Sequence, residues 1–273
     1  MPISQKTQPI GIYDSGIGGL TVLKTLQEKF PHENFIYFGD TLNLPYGTKS
    51  QDQIITYSRN IMTWLQQEAK VKLVVAACHT SSALALEEIS QGFVVPIIGT
   101  ILPLVKNILK KENMRKIGII ATPASVKSLM HEKILRKSGF QGEILSIACP
   151  AFVPLIEAEE LNKNVLKEHA EDYLKMFIDQ KYDTLIYGCT HYPFIKSLIE
   201  EILPLWVTQI DPAEYMALEV FEILSKRDLL NEQTLKGHHS FFCSSEPYIF
   251  TKKIQKLMEF EGSHSVLKDV HSF

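Results

Sequence analysis

The chain has 273 residues, 45% of them hydrophobic, and a formal net charge of −3 at pH 7. This length allows one large or two modest domains with a substantial core, and the composition argues against disorder. The low net charge and the lack of long Lys/Arg runs argue against nucleic acid as the main partner.

The compartment is predicted from what the chain lacks. The first residues, "MPISQKTQPIGIYDSG", show no basic segment followed by an apolar one, so we expect no signal peptide. The most apolar segment, "GFVVPIIGTILPLV", is interrupted by proline and is shorter than the roughly 20 residues that span a bilayer. We therefore expect a cytoplasmic protein with no membrane partner, whose cysteines are reduced thiols.

Short aliphatic segments alternate with longer amphipathic ones along the chain. In chain order, the predicted strands are residues 9–13, 34–38, 72–77, 94–98, 115–120, 142–148, 183–188 and 206–210. The predicted helices are residues 18–30, 50–70, 81–90, 125–139, 162–180, 192–203 and 210–230. This alternation predicts an α/β fold with parallel sheets covered by helices on both faces.

Landmarks of the first half recur in the second half at a nearly constant offset. Gly11 matches Gly118, 107 positions on, and Cys78 matches Cys189, 111 positions on. The strand that begins at Phe35 matches the one near Glu143, 108 positions on. These offsets predict two similar α/β domains, related by a pseudo-twofold axis, with the active site in the cleft between them.

Two predicted strands end at a cysteine, and in each case a threonine and a histidine are the next two residues. The segments are "VVAACHTSSA", with Cys78, and "TLIYGCTHYP", with Cys189. At a strand end near a helix N-terminus, the pKa of a thiol can be lowered. Two thiols facing one carbon from opposite sides could invert it, one removing a proton while the other supplies one. Thr80 and Thr190 could stabilise the developing negative charge, and Asp14 could hold a substrate ammonium.

Other interpretations of these cysteines stay open on the residues alone. Either thiol could be a small buried core residue. Cys78, His79, Cys189 and His191 could converge on a metal, although the chain has no Cys-x-x-Cys pair. A Cys–His nucleophile with His191 is a further possibility. We interpret Cys149 and Cys243 as core thiols.

Taken together, six segments resemble the glutamate racemases of the aspartate/glutamate racemase superfamily. They are "IGIYDSGIGGLTVLKTL", "YFGDTLNLPYG", "VVAACHTSSA", "IGIIATPASVKS", "ACPAFVPLIE" and "YGCTHYPFI". The resemblance implies interconversion of L- and D-glutamate without pyridoxal phosphate, metal or any other cofactor. It also implies that the D-glutamate supplies peptidoglycan synthesis in a bacterium.

The resemblance also implies residue roles. Cys78 and Cys189 match the two catalytic bases, Asp14 and His191 match polar groups beside them, and Glu157 matches an acid that supports the histidine. The implied substrate-binding residues are Asp14, Ser15, Pro45, Tyr46, Gly47, His79, Thr80, Thr122, Thr190 and His191.

Two positions depart from the family pattern. His79 stands where asparagine is usual, and Asn43 stands where arginine is usual. We expect the imidazole of His79 to replace the asparagine amide as a donor to the substrate's α-carboxylate. Both departures leave open a racemase of another acidic amino acid such as aspartate. A non-catalytic glutamate-binding regulatory protein is a further alternative.

The resemblance also predicts the organisation of the molecule. We expect residues 1–98 and 209–273 to form the first domain and residues 100–208 the second, with a small-molecule substrate between them. A homodimer is implied as well. Met62, Trp64 and Leu65 lie on one helical stripe, which we interpret as core rather than dimer surface.

Overall fold

Two parallel β-sheets form the framework of the protein. The computed structural model describes residues 5–110, 114–158, 162–258 and 265–271. Its strands are β1 (Ile10–Asp14), β2 (Phe35–Gly39), β3 (Leu73–Ala76), β4 (Ile97–Ile98), β5 (Lys116–Ala121), β6 (Glu143–Ala148), β7 (Thr184–Gly188), β8 (Thr208–Ile210), β9 (His239–Cys243) and β10 (Ser265–Leu267).

Helices follow most of these strands. They are α1 (Leu20–Lys29), α2 (Gln51–Gln67), α3 (His79–Leu84), α4 (Leu86–Ile89), α5 (Ile101–Ile108), α6 (Pro123–Ser128), α7 (Met130–Lys137), α8 (Phe152–Glu157), α9 (Lys163–Asp179), α10 (Lys196–Ile202), α11 (Pro212–Lys226) and α12 (Pro247–Met258). Short 3-10 helices occupy Gln5–Thr7, Tyr46–Thr48, Ser90–Gly92 and Tyr192–Ile195.

Four strands of the first sheet, β2-β1-β3-β4, follow the same order as the four strands of the second, β6-β5-β7-β8. The first sheet runs β10-β9-β2-β1-β3-β4 and the second runs β6-β5-β7-β8, and every described pair is parallel. Ile10 pairs with Phe35 in the first sheet, and Lys116 pairs with Glu143 in the second. The predicted α/β fold with two parallel sheets is confirmed, and the shared order supports the sequence repeat.

Each sheet is buried on both faces, which explains its nearly continuous apolar strands. Along β1, Ile10 and Ile12 join one core cluster with α1 and α11, while Tyr13 joins another with α2. Along β5, Ile117 and Ile119 join one cluster and Ile120 joins another. Successive side chains point to opposite faces of a strand, so one sequence run fills two cores.

Two helices, α11 and α2, agree with the sequence analysis. Asp211 caps α11 by accepting a hydrogen bond from the Ala213 backbone N–H at 2.9 Å, and Pro212 occupies its first turn, close to the predicted helix start at residue 210. Met62, Trp64 and Leu65 of α2 are buried, so their interpretation as core is confirmed.

Other helices differ from the prediction. The helix expected over residues 125–139 breaks at Leu129, whose φ of 56° is left-handed. The helix expected over residues 81–90 begins earlier, at His79, and divides at Ala85 into α3 and α4. Helices α5, α8 and α12 and strand β9 were not predicted. Pro103 in the first turn of α5 and Pro154 in α8 obscured the helical pattern, although proline is tolerated there.

The distribution of strands bears on the predicted domains. Strands β1–β4 lie in the first sheet, β5–β8 in the second, and β9 and β10 return to the first. The assignment of 1–98 with 209–273, and of 100–208, remains a prediction, and β8 continues across its second boundary to Ile210. Residues 1–4, 111–113, 159–161, 259–264 and 272–273 of this assignment lie outside the described residues. Among the described helices, none has the length and apolar composition to cross a membrane.

Candidate active site

Both cysteines of the sequence repeat follow strands at the same edge of their sheets. Cys78 comes just after β3 and is the N-cap of α3, and Cys189 follows β7 directly. Strands β1 and β3 are parallel neighbours, as are β5 and β7, so their carboxyl ends meet. Open α/β sheets bind ligands at such ends.

A cavity between the two sheets receives residues from both. With its opening to solvent it measures about 530 Å³. Cys78 and Cys189 both line it and are 5% and 6% exposed. The other predicted site residues in its wall are Ser15, Pro45, Tyr46, Gly47, His79, Thr80, Thr122, Thr190 and His191. Asp14 and Glu157 are absent from this wall and lie behind it.

Burial decides the charge state of the first thiol. The Cys78 sulfur lies 3.9 Å from the Ser15 hydroxyl oxygen. Burial raises the pKa of Cys78 to about 12, the nearby Asp14 carboxyl raises it further, and the Ser81 backbone amide opposes this. The expected lowering of this pKa at the start of α3 is therefore wrong for Cys78, because desolvation outweighs the amides of a short helix. With a pKa of about 12, Cys78 is a thiol at neutral pH.

The second thiol belongs to a chain of polar contacts. The Cys189 sulfur lies 3.8 Å from His191 Nδ1, and His191 Nε2 lies 2.8 Å from Glu157 Oε1. Burial opposes a charged ring, but hydrogen bonds with Cys189 and Glu157 hold the pKa of His191 well above its usual value. Burial likewise opposes ionisation of Glu157, yet hydrogen bonds from His191 and Lys253 lower its pKa to about 2. These polar contacts therefore keep His191 as an imidazolium beside the Cys189 sulfur.

Asp14 connects the two halves from behind the cavity. Its carboxylate accepts hydrogen bonds from the Gly16 backbone at 2.9 Å and from the Thr190 hydroxyl at 3.0 Å. Burial raises the pKa of Asp14, which His191 partly offsets. A second bridge joins the hydroxyls of Thr80 and Thr122 at 2.9 Å. The walls of the cleft are thus held together by polar groups.

His79 is fixed in the wall by two neighbours. Its Nδ1 lies 3.0 Å from the Thr100 hydroxyl, and its ring stacks on His131 with centroids 5.7 Å apart. Burial lowers the pKa of His79 well below its usual value, and His131 adds to this. The ring is therefore neutral at physiological pH and has one N–H to donate.

The loop before the Tyr46 3-10 helix is anchored on a buried carboxylate. Asp40 accepts hydrogen bonds from the Tyr46 hydroxyl at 2.6 Å and the Ser244 hydroxyl at 2.7 Å, and its Oδ1 lies 2.9 Å from His271 Nε2. Asn43, which departs from the family pattern, donates its amide to both oxygens of Asp40. Asn43 therefore helps to anchor the loop.

Several site residues were missed by the sequence analysis. Lys253 of α12 donates to the Glu157 carboxylate at 2.7 Å and to its main-chain oxygen at 2.9 Å. Cys149 is buried in the second domain's core, as predicted for a core thiol, but also lines the cavity. The remaining missed wall residues are Thr48, Pro123, Pro150, Val153 and Pro154. Their positions depend on distant packing, although "ACPAFVP" adjoins a motif that was recognised.

The wall of the cavity holds few charges. Within the described chain, His191 is its one cationic side chain, since no lysine or arginine lines it. The described residues contain no group of three or more His, Cys, Asp or Glu side chains placed to hold a metal ion. A bound carboxylate would therefore be held by hydroxyls, backbone amides and imidazole.

Comparisons with known proteins identify the family of this chain. The model of the Asp/Glu/hydantoin racemase family matches residues 20–219. A glutamate racemase from Trichodesmium erythraeum is 39% identical over 267 residues, covering 98% of this chain and 97% of that protein. A crystal structure of a Bacillus anthracis glutamate racemase isoform aligns with a TM-score of 0.91 at 30% identity, covering 97% and 99% of the two chains. The Francisella tularensis glutamate racemase in complex with D-glutamate aligns with a TM-score of 0.89 at 33% identity, covering 98% and 100%.

Proposed function

This chain belongs to the Asp/Glu/hydantoin racemase family, and from that premise we propose that it interconverts L- and D-glutamate with Cys78 and Cys189 as its two bases. The observation that carries the proposal is the presence of both thiols in the wall of one small cavity. Each thiol comes from a different sheet, so the two can approach a bound α-carbon from different sides.

The reaction needs one thiolate and one thiol at a time. With L-glutamate, Cys189 takes the α-proton and the Cys78 thiol gives its proton to the opposite face. With D-glutamate the roles reverse, and no proton is gained or lost in either direction. The raised pKa of Cys78 favours the thiol that the first direction requires.

The groups beside each sulfur support these proton transfers. The His191 imidazolium lies against Cys189 and stabilises negative charge that develops in the transition state. On the other side, Asp14 lies behind Ser15 and Thr190, from where its carboxylate attracts the substrate ammonium.

Substrate recognition rests on neutral donors. Ser15, Thr80, Thr122 and Thr190 offer hydroxyls, and the segment Pro45–Tyr46–Gly47 offers backbone amides. We assign the side-chain carboxylate to that segment and the α-carboxylate to His79 and the hydroxyls. No observation favours aspartate over glutamate.

The role of His79 is tested by substitution. If Thr100 donates to Nδ1, then Nε2 carries the proton and donates to the α-carboxylate. We expect His79→Ala to raise KM by about tenfold or more, the value of one hydrogen bond to a charged group. His79→Asn, which keeps a donor, should recover part of this loss. An unchanged KM and pH profile in both variants would exclude the role.

The proposed function is tested by following L-glutamate with circular dichroism in the absence of added cofactor. The ellipticity should decay to zero with wild-type protein, and Cys78→Ser and Cys189→Ser should each lose at least about a thousandfold in kcat. Cys243→Ala, which alters a buried thiol in the first domain's core, is the control and should remain active. Absence of decay in the wild type, or faster decay with L-aspartate, would refute the proposal.

Further parts of the proposal concern the cell and the assembly. We place the protein in the cytoplasm, supplying D-glutamate for peptidoglycan, with residues 1–98 and 209–273 as one domain and 100–208 as the other. We also propose a homodimer of the 31.0 kDa chain. Sedimentation equilibrium checks the dimer, since a monomer mass at micromolar concentration would contradict it.

A further inference from the structure

Lys253 reaches across the cleft from an element outside the recognised motifs. It lies on α12, which packs against α1, β9 and β10 of the first domain. Its ammonium contacts Glu157, the last residue of α8, which packs with α9 in the second domain. Lys253 lies beyond residues 20–219, the part of the chain that the family model matches.

The two oxygens of the Glu157 carboxylate have separate partners. Oε2 accepts from Lys253, while Oε1 accepts from the Ile17 backbone at 3.2 Å and lies 2.8 Å from His191 Nε2. A carboxylate held at both oxygens cannot rotate without breaking one set of contacts. The contacts therefore form one series from Lys253 through Glu157 and His191 to Cys189.

We infer that Lys253 is a positioning residue for the racemisation proposed above, and that it acts by fixing the Glu157 carboxylate on His191. The inference rests on that proposed function. Lys253 does not line the cavity, so it acts through Glu157 rather than on substrate.

The charges around Glu157 set the direction of the expected effect. His191 and Lys253 face it, and the buried Asp14 and Tyr37 interact with it at longer range. Burial alone would raise the pKa of Glu157, so loss of Lys253 should move that pKa upward. Protonated Glu157 is a poorer hydrogen-bond acceptor for His191. The pH below which activity is lost should therefore be higher in the variant than in the wild type.

Steady-state kinetics of Lys253→Met test the inference against Lys256→Met, an exposed lysine on the same helix. We expect kcat of Lys253→Met to fall by about ten- to a hundredfold, as for other residues that orient a catalytic group, with KM within about twofold. The acidic limb of its kcat profile should lie at higher pH than that of the wild type. Lys253→Arg should recover most of kcat, and Lys256→Met should match the wild type.

A double-variant cycle shows whether the effect passes through Glu157. If it does, Lys253→Met should change kcat by less than about twofold in a Glu157→Gln background. Multiplicative losses, or a Lys253→Met variant indistinguishable from Lys256→Met, would overturn the inference. Since the enantiomers have equal energy, kcat/KM must fall equally in both directions, which checks the data.

The outcomes separate this inference from the proposed function. Wild-type protein without racemase activity would refute the function, whereas an active wild type with an unaffected Lys253→Met would refute only the inference. If Lys253→Met does not fold, as judged by thermal unfolding, Lys253→Gln takes its place as the variant that loses the ammonium, with Lys253→Arg still the rescue.

Discussion

Two glycines in the loop after β1 let the two domains approach within contact distance. A Cβ at Gly16 would lie 2.5 Å from Glu157 Oε1, and one at Gly18 would lie 2.4 Å from both His191 Nδ1 and Thr190 Oγ1. Such distances are shorter than any van der Waals contact. Gly16 and Gly18 of the "DSGIGG" segment therefore have to be glycine, because Glu157 and His191 of the opposite domain occupy the space that a side chain would need.

We predict that Gly18→Ala displaces His191 and lowers kcat/KM by about a hundredfold, the effect of misplacing a catalytic group by roughly 1 Å. Gly92→Ala is the matched control, since a Cβ there meets no atom of the described part of the chain within 4 Å. Racemase assays on both variants check this. Normal activity in Gly18→Ala would mean that His191 is not held where the structure places it.

Single residues also show what the sequence could reveal about the site. Cys78 and Cys189 were found because each ends an apolar strand and the strands belong to a repeat. Lys253 gives no comparable signal, because its partner Glu157 lies 96 positions away and only the fold brings them together. The raised pKa of Cys78 was missed for a related reason, since desolvation depends on the packing around the sulfur in the folded protein.

Among the secondary-structure elements, α3 and α7 meet through a buried pair of imidazoles. His79 begins α3, His131 lies in α7, and their rings are nearly parallel, with an angle of 14°. Burial lowers the pKa of His131 to about 4, and its Nε2 has no hydrogen-bond partner among the described residues. Because this folded-state pKa lies below the unfolded value of 6.5, the pair favours folding above pH 6.5 and opposes it increasingly as the pH falls toward 4.

We predict that the titration of His131 lowers the free energy of unfolding by about 2 kcal/mol when the pH falls from 8 to 5. His131→Phe, which keeps a ring against His79, should remove that loss and stabilise the protein at pH 5. His169→Phe, at a half-buried ring on α9, is the control. Urea unfolding at the two pH values measures the difference, and an equal loss in His131→Phe and the wild type would contradict the prediction.

The loop that carries Tyr46 depends on Asp40. The Tyr46 hydroxyl donates to Asp40 at 2.6 Å, so Tyr46→Phe leaves that carboxylate with one donor fewer in a buried site. We predict a loss of about 2 kcal/mol in unfolding free energy and a several-fold rise in KM. Tyr57→Phe, in the ring that packs on Tyr46, is the control. Urea unfolding and substrate titration check both, and equal behaviour of the two variants would show that Asp40 does not anchor the loop.

At the level of elements, the strands were more predictable than the helices. Strands such as β1 and β7 are buried throughout, so their composition alone marks them. The left-handed break at Leu129 and the proline-containing short helices α5 and α8 leave no clear trace in the hydrophobic periodicity.

For the whole molecule, the shared order of strands explains why two cysteines meet. Repeating one α/β unit places equivalent strand ends in one cleft, where Thr80 bonds Thr122 and Thr190 bonds Asp14 across it. Because both sulfurs are almost fully buried, we expect these polar bridges to open when substrate enters. The repeat could be read from the sequence, whereas these bridges could not, because each joins residues far apart in the chain.

The central claim is that different sulfurs serve the two faces of the α-carbon, and its most direct test is deuterium incorporation from L-glutamate in D₂O at low conversion. Mass spectrometry of the separated enantiomers should find deuterium at the α-carbon of the D-glutamate formed, while the remaining L-glutamate keeps protium. D-glutamate that retains the original protium, or L-glutamate that gains deuterium as fast as D-glutamate appears, would mean that one base serves both faces.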